Sequence, residues 1–337
     1  MTRHRRRVAI YFATVLAVLG FYAWYVRGVS FERLFLFGPP KPAGDAAHGR
    51  WSGRAAAPTA RTEVAAAELG GKIYVVGGFD GFGQTLATVE VYDPAADRWQ
   101  NAPPLPRPLH HPSVVALDGY LYVIGGFQGL NFSPSYDGFV FDPVTGTWQT
   151  IAPMPEARGA MAAAVLGGKI FAVGGVSPDG LSRALFSYDP ASNVWEIKTA
   201  MPTARDHLAA AAVSGKFYVL GGRKNEIARP LKLVEVYDPA ADSWSKGPDL
   251  PRGMGGGAAA VLNGKIIAAG GEAAGRTFDE VYRFDPEKGK WEELTPMPGA
   301  RHGLGLAAVG GTIYAAAGGK HPGLSVTDIT EAMVFGD

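Results

Sequence analysis

The chain has 337 residues, 47% of them apolar and 19% charged, with a formal net charge of +1. That is enough apolar material for a sizeable core, and it excludes both the basic field that nucleic-acid binding relies on and an acidic tail. Cysteine is absent, which rules out disulfides, thiolate metal sites and cysteine nucleophiles.

In chain order, Arg3, Arg5, Arg6 and Arg7 form a basic tail over 1–7, followed by 19 uncharged positions over 8–26. At ~1.5 Å per residue a helix of that length covers roughly 28 Å, close to a bilayer core. Tyr22, Trp24 and Tyr25 stand near its far end, where amphipathic rings favour the interface. The basic flank predicts a single-pass signal anchor in the plasma (inner) membrane, with a cytoplasmic N-terminus and the remainder facing the periplasm or the outside. A cleaved signal peptide is the competing reading. The apolar run is long for one, and no clear small-x-small site follows it. Residues 27–49 read as a linker ending in the Pro/Gly/Ala-rich stretch GPPKPAGDAAHG.

Beyond the linker the chain repeats. Gly-Gly pairs end apolar runs at Gly77-Gly78, Gly125-Gly126, Gly174-Gly175, Gly221-Gly222, Gly270-Gly271 and Gly318-Gly319, at spacings of 48, 49, 47, 49 and 48 residues. An aromatic-Asp-Pro triplet follows the first five pairs: Tyr92-Asp93-Pro94, Phe141-Asp142-Pro143, Tyr188-Asp189-Pro190, Tyr237-Asp238-Pro239 and Phe284-Asp285-Pro286. Six residues after each Asp stands Trp99, Trp148, Trp195, Trp244 or Trp291. Each unit reads as four short strands: a small-residue strand, a strongly apolar strand ending in Gly-Gly, a strand ending in Asp-Pro, and a Trp-bearing strand. The last unit stops at Asp337 before any Trp, while Trp51 precedes the first unit without a partner. The segment around Arg50 to Ala57 is therefore expected to supply the missing outer strand and close a ring over 50–337.

A Gly-Gly pair, then Tyr, then Trp seven positions later resembles the kelch family over Arg50 to Asp337. The resemblance implies an all-β, six-bladed propeller of four-stranded blades, here closed by an N-terminal strand and preceded by one transmembrane helix. Strand order places the loops after Gly-Gly and the Pro-x-x-Arg loops between blades on one end, and loops on a rigid scaffold are the usual place for function. Around that mouth the Pro-x-x-Arg loops bring Arg61, Arg158, Arg205 and Arg301, with Leu109 and Met254 at the matching positions of blades 2 and 5. His110, His111, Asp206, His207, His302 and Glu63 follow these positions, and Phe79, Phe127 and Arg223 follow Gly-Gly pairs.

These residues predict a cationic funnel with an aromatic rim, suited to a protein partner or an anionic sugar-like ligand. The arginines have a second reading, in which they brace loops by bonding to backbone carbonyls. The imidazoles and carboxylates come from separate blades without helical His-x-x-x-His spacing, so neither a metal nor a cofactor is expected. The resemblance implies a binding module, read as a monomer without nucleic-acid partners. As an alternative it implies a sugar-acid mutarotase or epimerase like the exported kelch sialic-acid mutarotases. In that reading Glu63, His111 or His207 act as acid or base, and Arg158, Arg205 and Arg301 clamp the carboxylate. Copper chemistry of the galactose-oxidase type, which uses a Tyr crosslinked to Cys, is excluded by the absence of Cys.

Overall fold

Each blade alternates two kinds of strand chemistry, and the burial gradient follows from it. Second strands such as Lys72–Val76 (KIYVV) and Tyr120–Ile124 (YLYVI) are apolar on both faces because a neighbouring blade covers each face. Outer strands such as Arg98–Asn101 (RWQN) are polar apart from their Trp. Inner strands such as Ala162–Leu166 (AAAVL) carry small residues, which the crowding of six strands about one axis favours.

The computed structural model describes residues 47–336. The chain divides into Met1–Ala43 and Gly44–Asp337, and the described residues belong to the second unit. Among them are six four-stranded antiparallel sheets, the six expected blades, and three two-stranded ribbons in the loops after Gly-Gly of blades 2, 3 and 5. The predicted basic tail, the membrane span 8–26 and most of the linker lie outside the described residues. Among those described, no helix is long and apolar enough to cross a membrane.

Ring closure takes the expected form. Arg50–Arg54 pairs antiparallel with Thr330–Val334, placing Trp51 opposite Met333. The Trp51 indole donates to the Thr295 carbonyl at 2.9 Å. The other five tryptophans among the described residues make the same bond to the segment leaving the preceding blade: Trp99 to Ala55, Trp148 to Pro103, Trp195 to Ala152, Trp244 to Thr199 and Trp291 to Pro248, all at 2.8–2.9 Å. Trp51 is thus the sixth member of one repeated stitch.

The core is divided among the blade interfaces. One apolar cluster fills each, from Val76, Val91, Leu121 and Phe141 between blades 1 and 2 to Tyr92, Ala307, Tyr314 and Ala316 between blades 6 and 1. Each fully buried Val, Leu or Phe contributes roughly 1.5–3 kcal/mol.

The paired glycines hold neighbouring blades together. Gly77 has φ 64°, and a Cβ there would sit 2.3 Å from the Leu109 carbonyl oxygen, so only glycine permits the approach. The next amide, Gly78, donates to that oxygen at 2.9 Å, and equivalent bonds run to the carbonyls of Arg158, Arg205, Met254, Arg301 and Arg61. Blade 6 corrects the sequence reading by one residue. Its left-handed pair is Ala317 (φ 58°) and Gly318 (φ 99°), not Gly318-Gly319. Gly318 supplies the stitching amide, and Gly319 instead bridges His302.

Candidate functional site

The expected mouth exists. In every blade the residue after the Arg position bridges the residue after the glycine pair: Thr62 with Phe79, His110 with Phe127, Gly159 with Val176, Asp206 with Arg223, Gly255 with Glu272, and His302 with Gly319. The next residue inward completes a ring about the axis. His111 N–H donates to Glu63 C=O, Ala160 to His111, His207 to Ala160, Gly256 to His207, Gly303 to Gly256, and Val64 to Gly303, at 2.7–3.2 Å. This ring imposes positive φ on Glu63 (54°), His111 (51°), Ala160 (52°), His207 (49°), Gly256 (68°) and Gly303 (55°). Two blades meet the requirement with glycine. Glu63, His111 and His207 meet it at a strain on the order of 1 kcal/mol each. Below the ring lies an axial cavity of about 140 Å3, walled by inner-strand alanines, with Glu63, His111 and His207 at its end.

The four predicted clamp arginines are elsewhere. Arg61, Arg158, Arg205 and Arg301 are 0% exposed. Each points into its own blade, where burial pulls its pKa down. Arg61 donates to the carbonyls of Gly77, Thr88 and Val75 and to Glu90 Oε2, the last at 2.7 Å. Arg301 bonds the carbonyls of Ala317 and Ile329 and the carboxylate of Glu331. Arg205 bonds the Val219 carbonyl and lies 3.2 Å from Glu235 Oε2. Arg158 lacks a buried third-strand carboxylate, and its Nε lies 3.6 Å from the partly exposed Glu156 instead. It bonds the carbonyls of Gly174 and Ala184 and stacks over Phe186 at 4.4 Å, and its pKa falls to about 10. The clamp expectation is therefore corrected: a guanidinium pulled out of water is held by strand carbonyls, and in three of the four by a buried carboxylate as well, and none of the four reaches the mouth. The sugar-acid reading loses its carboxylate grip with them.

Phe79 and Phe127 are corrected as well. Both are buried (1% and 3% exposed) and pack against histidine rings, Phe79 stacking on His110 with centroids 3.9 Å apart. The large aromatic and aliphatic side chains that do face solvent in these loops are Phe82, Phe132, Tyr136, Leu130, Ile227 and Leu324.

The remaining predicted residues converge into one polar circuit. His110 Nε2 donates to the Gly129 carbonyl at 3.1 Å, and its Nδ1 meets His111 Nδ1 at 2.7 Å. His111 Nε2 lies 3.0 Å from Glu63 Oε2, and His302 Nδ1 donates to Glu63 Oε1 at 3.0 Å. Glu272 approaches His302 at 3.7 Å and binds Arg223 at 2.9 Å. Arg223 reaches Asp206 at 3.3 Å, and His207 Nδ1 donates to Asp206 at 2.8 Å. The circuit closes where the His111 and His207 rings meet edge to face, 4.9 Å apart.

Glu272 is the member that sequence reasoning missed. Its signal was available, since it stands directly after Gly270-Gly271, as Arg223 stands after Gly221-Gly222.

Burial and partners set the charges. Burial opposes the ionisation of Glu63, but His111 and His302 outweigh it and hold its carboxyl well below the usual range. Burial likewise opposes a charged His302, yet Glu63 and Glu272 outweigh it and raise its pKa. The geometry agrees: both His302 nitrogens face acceptors, Glu63 and the His321 carbonyl, as an imidazolium requires. Burial, then the proximity of His111, drives His110 down to about 3, so it is neutral. Burial also lowers His207, against the pull of Asp206.

A family model described as the KLHDC2/KLHL20/DRC7 Kelch-repeats domain matches residues 46–175 and 155–319. The chain belongs to this kelch-repeat family. Among solved structures, one titled "Structure of YjhT" is similar to this kelch propeller at a TM-score of 0.71. It is 18% identical, over 82% of this chain and 96% of that one, a likeness of fold. Comparison with curated proteins gave no match.

Proposed function

We propose that this kelch propeller is a membrane-tethered interaction module that holds a protein partner on its mouth face outside the cytoplasm. Kelch propellers generally serve as protein-interaction modules. The observation that carries the reading is an apolar patch spanning blades 6, 1 and 2. Phe82 is 95% exposed, Leu130 65% and Leu324 49%. They form one surface, because a Cβ on Gly83 would lie 3.1 Å from Leu130 and 3.4 Å from Leu324. Beside them, between blades 1 and 2, opens a cleft of about 520 Å3 lined by Phe82, Pro108, Gly129 and Leu130. A contiguous apolar patch with an adjoining cleft marks a docking site for an apolar anchor on a partner.

A photocrosslinking residue at position 82 in the full chain is expected to form a protein adduct in cells. Leu130→Asp should weaken it by at least ~10-fold, the loss of one hot-spot contact. The same probe at Val144, exposed on an Asp-Pro turn at the opposite end, should give none. Equal adducts at both positions, or none at 82, would overturn the reading.

The tether rests on the apolar run 8–26 with its arginine flank. A reporter fused after Asp337 that matures only outside the cytoplasm is expected to be active. Activity confined to a cytoplasm-dependent reporter would refute the topology.

A further inference from the structure

We propose that Glu63, His111 and His207 form a binding site for a divalent transition-metal ion at the axial mouth, separate from the apolar docking patch. One ligand atom of each lies within 4.8 Å of the others. Ligands of a tetrahedral ion at about 2.0–2.1 Å sit about 3.3 Å from one another, so small side-chain rotations complete the approach.

Hydrogen-bond direction identifies the atoms. His207 gives its Nδ1–H to Asp206, which leaves the Nε2 lone pair free. Glu63 accepts from His302 at Oε1, which leaves Oε2. His110 gives its Nε2–H to Gly129, and in the tautomer whose Nδ1 carries a lone pair it accepts from His111 Nδ1–H, so that His111 keeps an Nε2 lone pair. That lone pair faces Glu63 Oε2 at 3.0 Å. Two acceptors meeting at this distance need a positive centre between them, either a proton on His111 or a metal ion.

Three features favour the ion over the proton. A third ligand group, His207, belongs to the same cluster, and a lone proton has no use for it. Each ligand also has an outer partner that fixes its orientation: Asp206 for His207, His110 for His111 and His302 for Glu63. Carboxylate-oriented histidine is the usual support of a bound metal. Finally, the other three ring positions are Ala160, Gly256 and Gly303, which leave the remaining coordination positions open to the axial cavity. Two imidazoles and one carboxylate suit zinc, cobalt or nickel rather than calcium or magnesium.

The test uses the full chain, stripped with a chelator and titrated with Co2+ by visible absorption and with Zn2+ by calorimetry. Binding of one ion per chain is expected. His207→Ala and the near-isosteric Glu63→Gln should abolish it, Asp206→Asn should weaken it roughly 10- to 100-fold, and His48→Ala, on the outer surface, should leave it intact. Near-UV circular dichroism in chelator reports whether each variant is folded, and Glu63→Gln decides if His207→Ala is not. The site is overturned if the wild type binds no ion at micromolar concentration, leaving a proton-bridged ion pair. It is equally overturned if a folded Glu63→Gln variant binds as the wild type does, or if His48→Ala abolishes binding.

Discussion

Excising residues 45–57 from the full chain is expected to lower its melting temperature by on the order of 10 °C and to make it aggregate. The segment contains Arg50–Arg54, the outer strand of blade 6. Without it, Thr330–Val334 loses five residues of antiparallel pairing and becomes an open edge. Trp51 leaves the apolar cluster around Leu294, Met297 and Met333, and its bond to Thr295 goes with it. Truncating a packed Trp alone costs roughly 3–5 kcal/mol, and in a domain of this size each kcal/mol is worth about 2–4 °C. A second variant separates strand loss from chain shortening. In blades 1 to 5 the third strand runs through a tight turn into the Trp strand, so appending residues 49–57 after Asp337 through an Asp-Pro turn should rebuild blade 6 and recover most of the loss. Calorimetry of both chains decides. An unchanged melting temperature after excision would mean that ring closure does not depend on the N-terminal strand.

The propeller was legible because six copies state the same rule, and a rule repeated six times survives local irregularity. The orphan Trp51 and the truncated last unit located the closing strand from sequence alone. Two details were hidden by the same regularity. The sixth glycine pair reads as Gly318-Gly319, but the backbone uses Ala317-Gly318, since a lone alanine accepts φ 58° at modest cost. The mouth was harder because sequence does not give side-chain direction. The arginines looked like ligands from their place in a loop, yet a residue two positions before the aromatic-Asp-Pro triplet told otherwise. Glu90, Glu235 and, at the corresponding place in blade 6, Glu331 occur in three of the four blades that carry the Arg, the fourth having Phe186 opposite Arg158, while Phe139 and Tyr282 occur opposite Leu109 and Met254. Glu63, His111 and His207 lie one and two repeats apart, and metal-ligand spacing rules built on helices do not describe neighbours around an axis.

That pairing of positions makes Arg61 and Glu90 a decisive test of what the buried arginines do. Arg61→Leu alone is expected to destabilise the chain by about 3–5 kcal/mol, because it leaves the Glu90 carboxylate without its counter-charge in a site 0% exposed and removes a donor from each of the Gly77, Thr88 and Val75 carbonyls. Glu90→Phe alone should cost a similar amount by leaving the guanidinium uncompensated. The double variant Arg61→Leu/Glu90→Phe copies the solution that blade 2 already uses with Leu109 and Phe139. It should recover much of the loss, since replacing both members of a buried ion pair by packed apolar groups is often neutral. Denaturant unfolding of the four proteins gives the coupling energy directly. If the double variant loses the sum of the two single losses, the pair is not a packing unit and the blade-2 substitution does not transfer. If Arg61→Leu leaves stability untouched while ligand or partner binding disappears, the side chain reaches the mouth after all and the bracing role assigned to it fails.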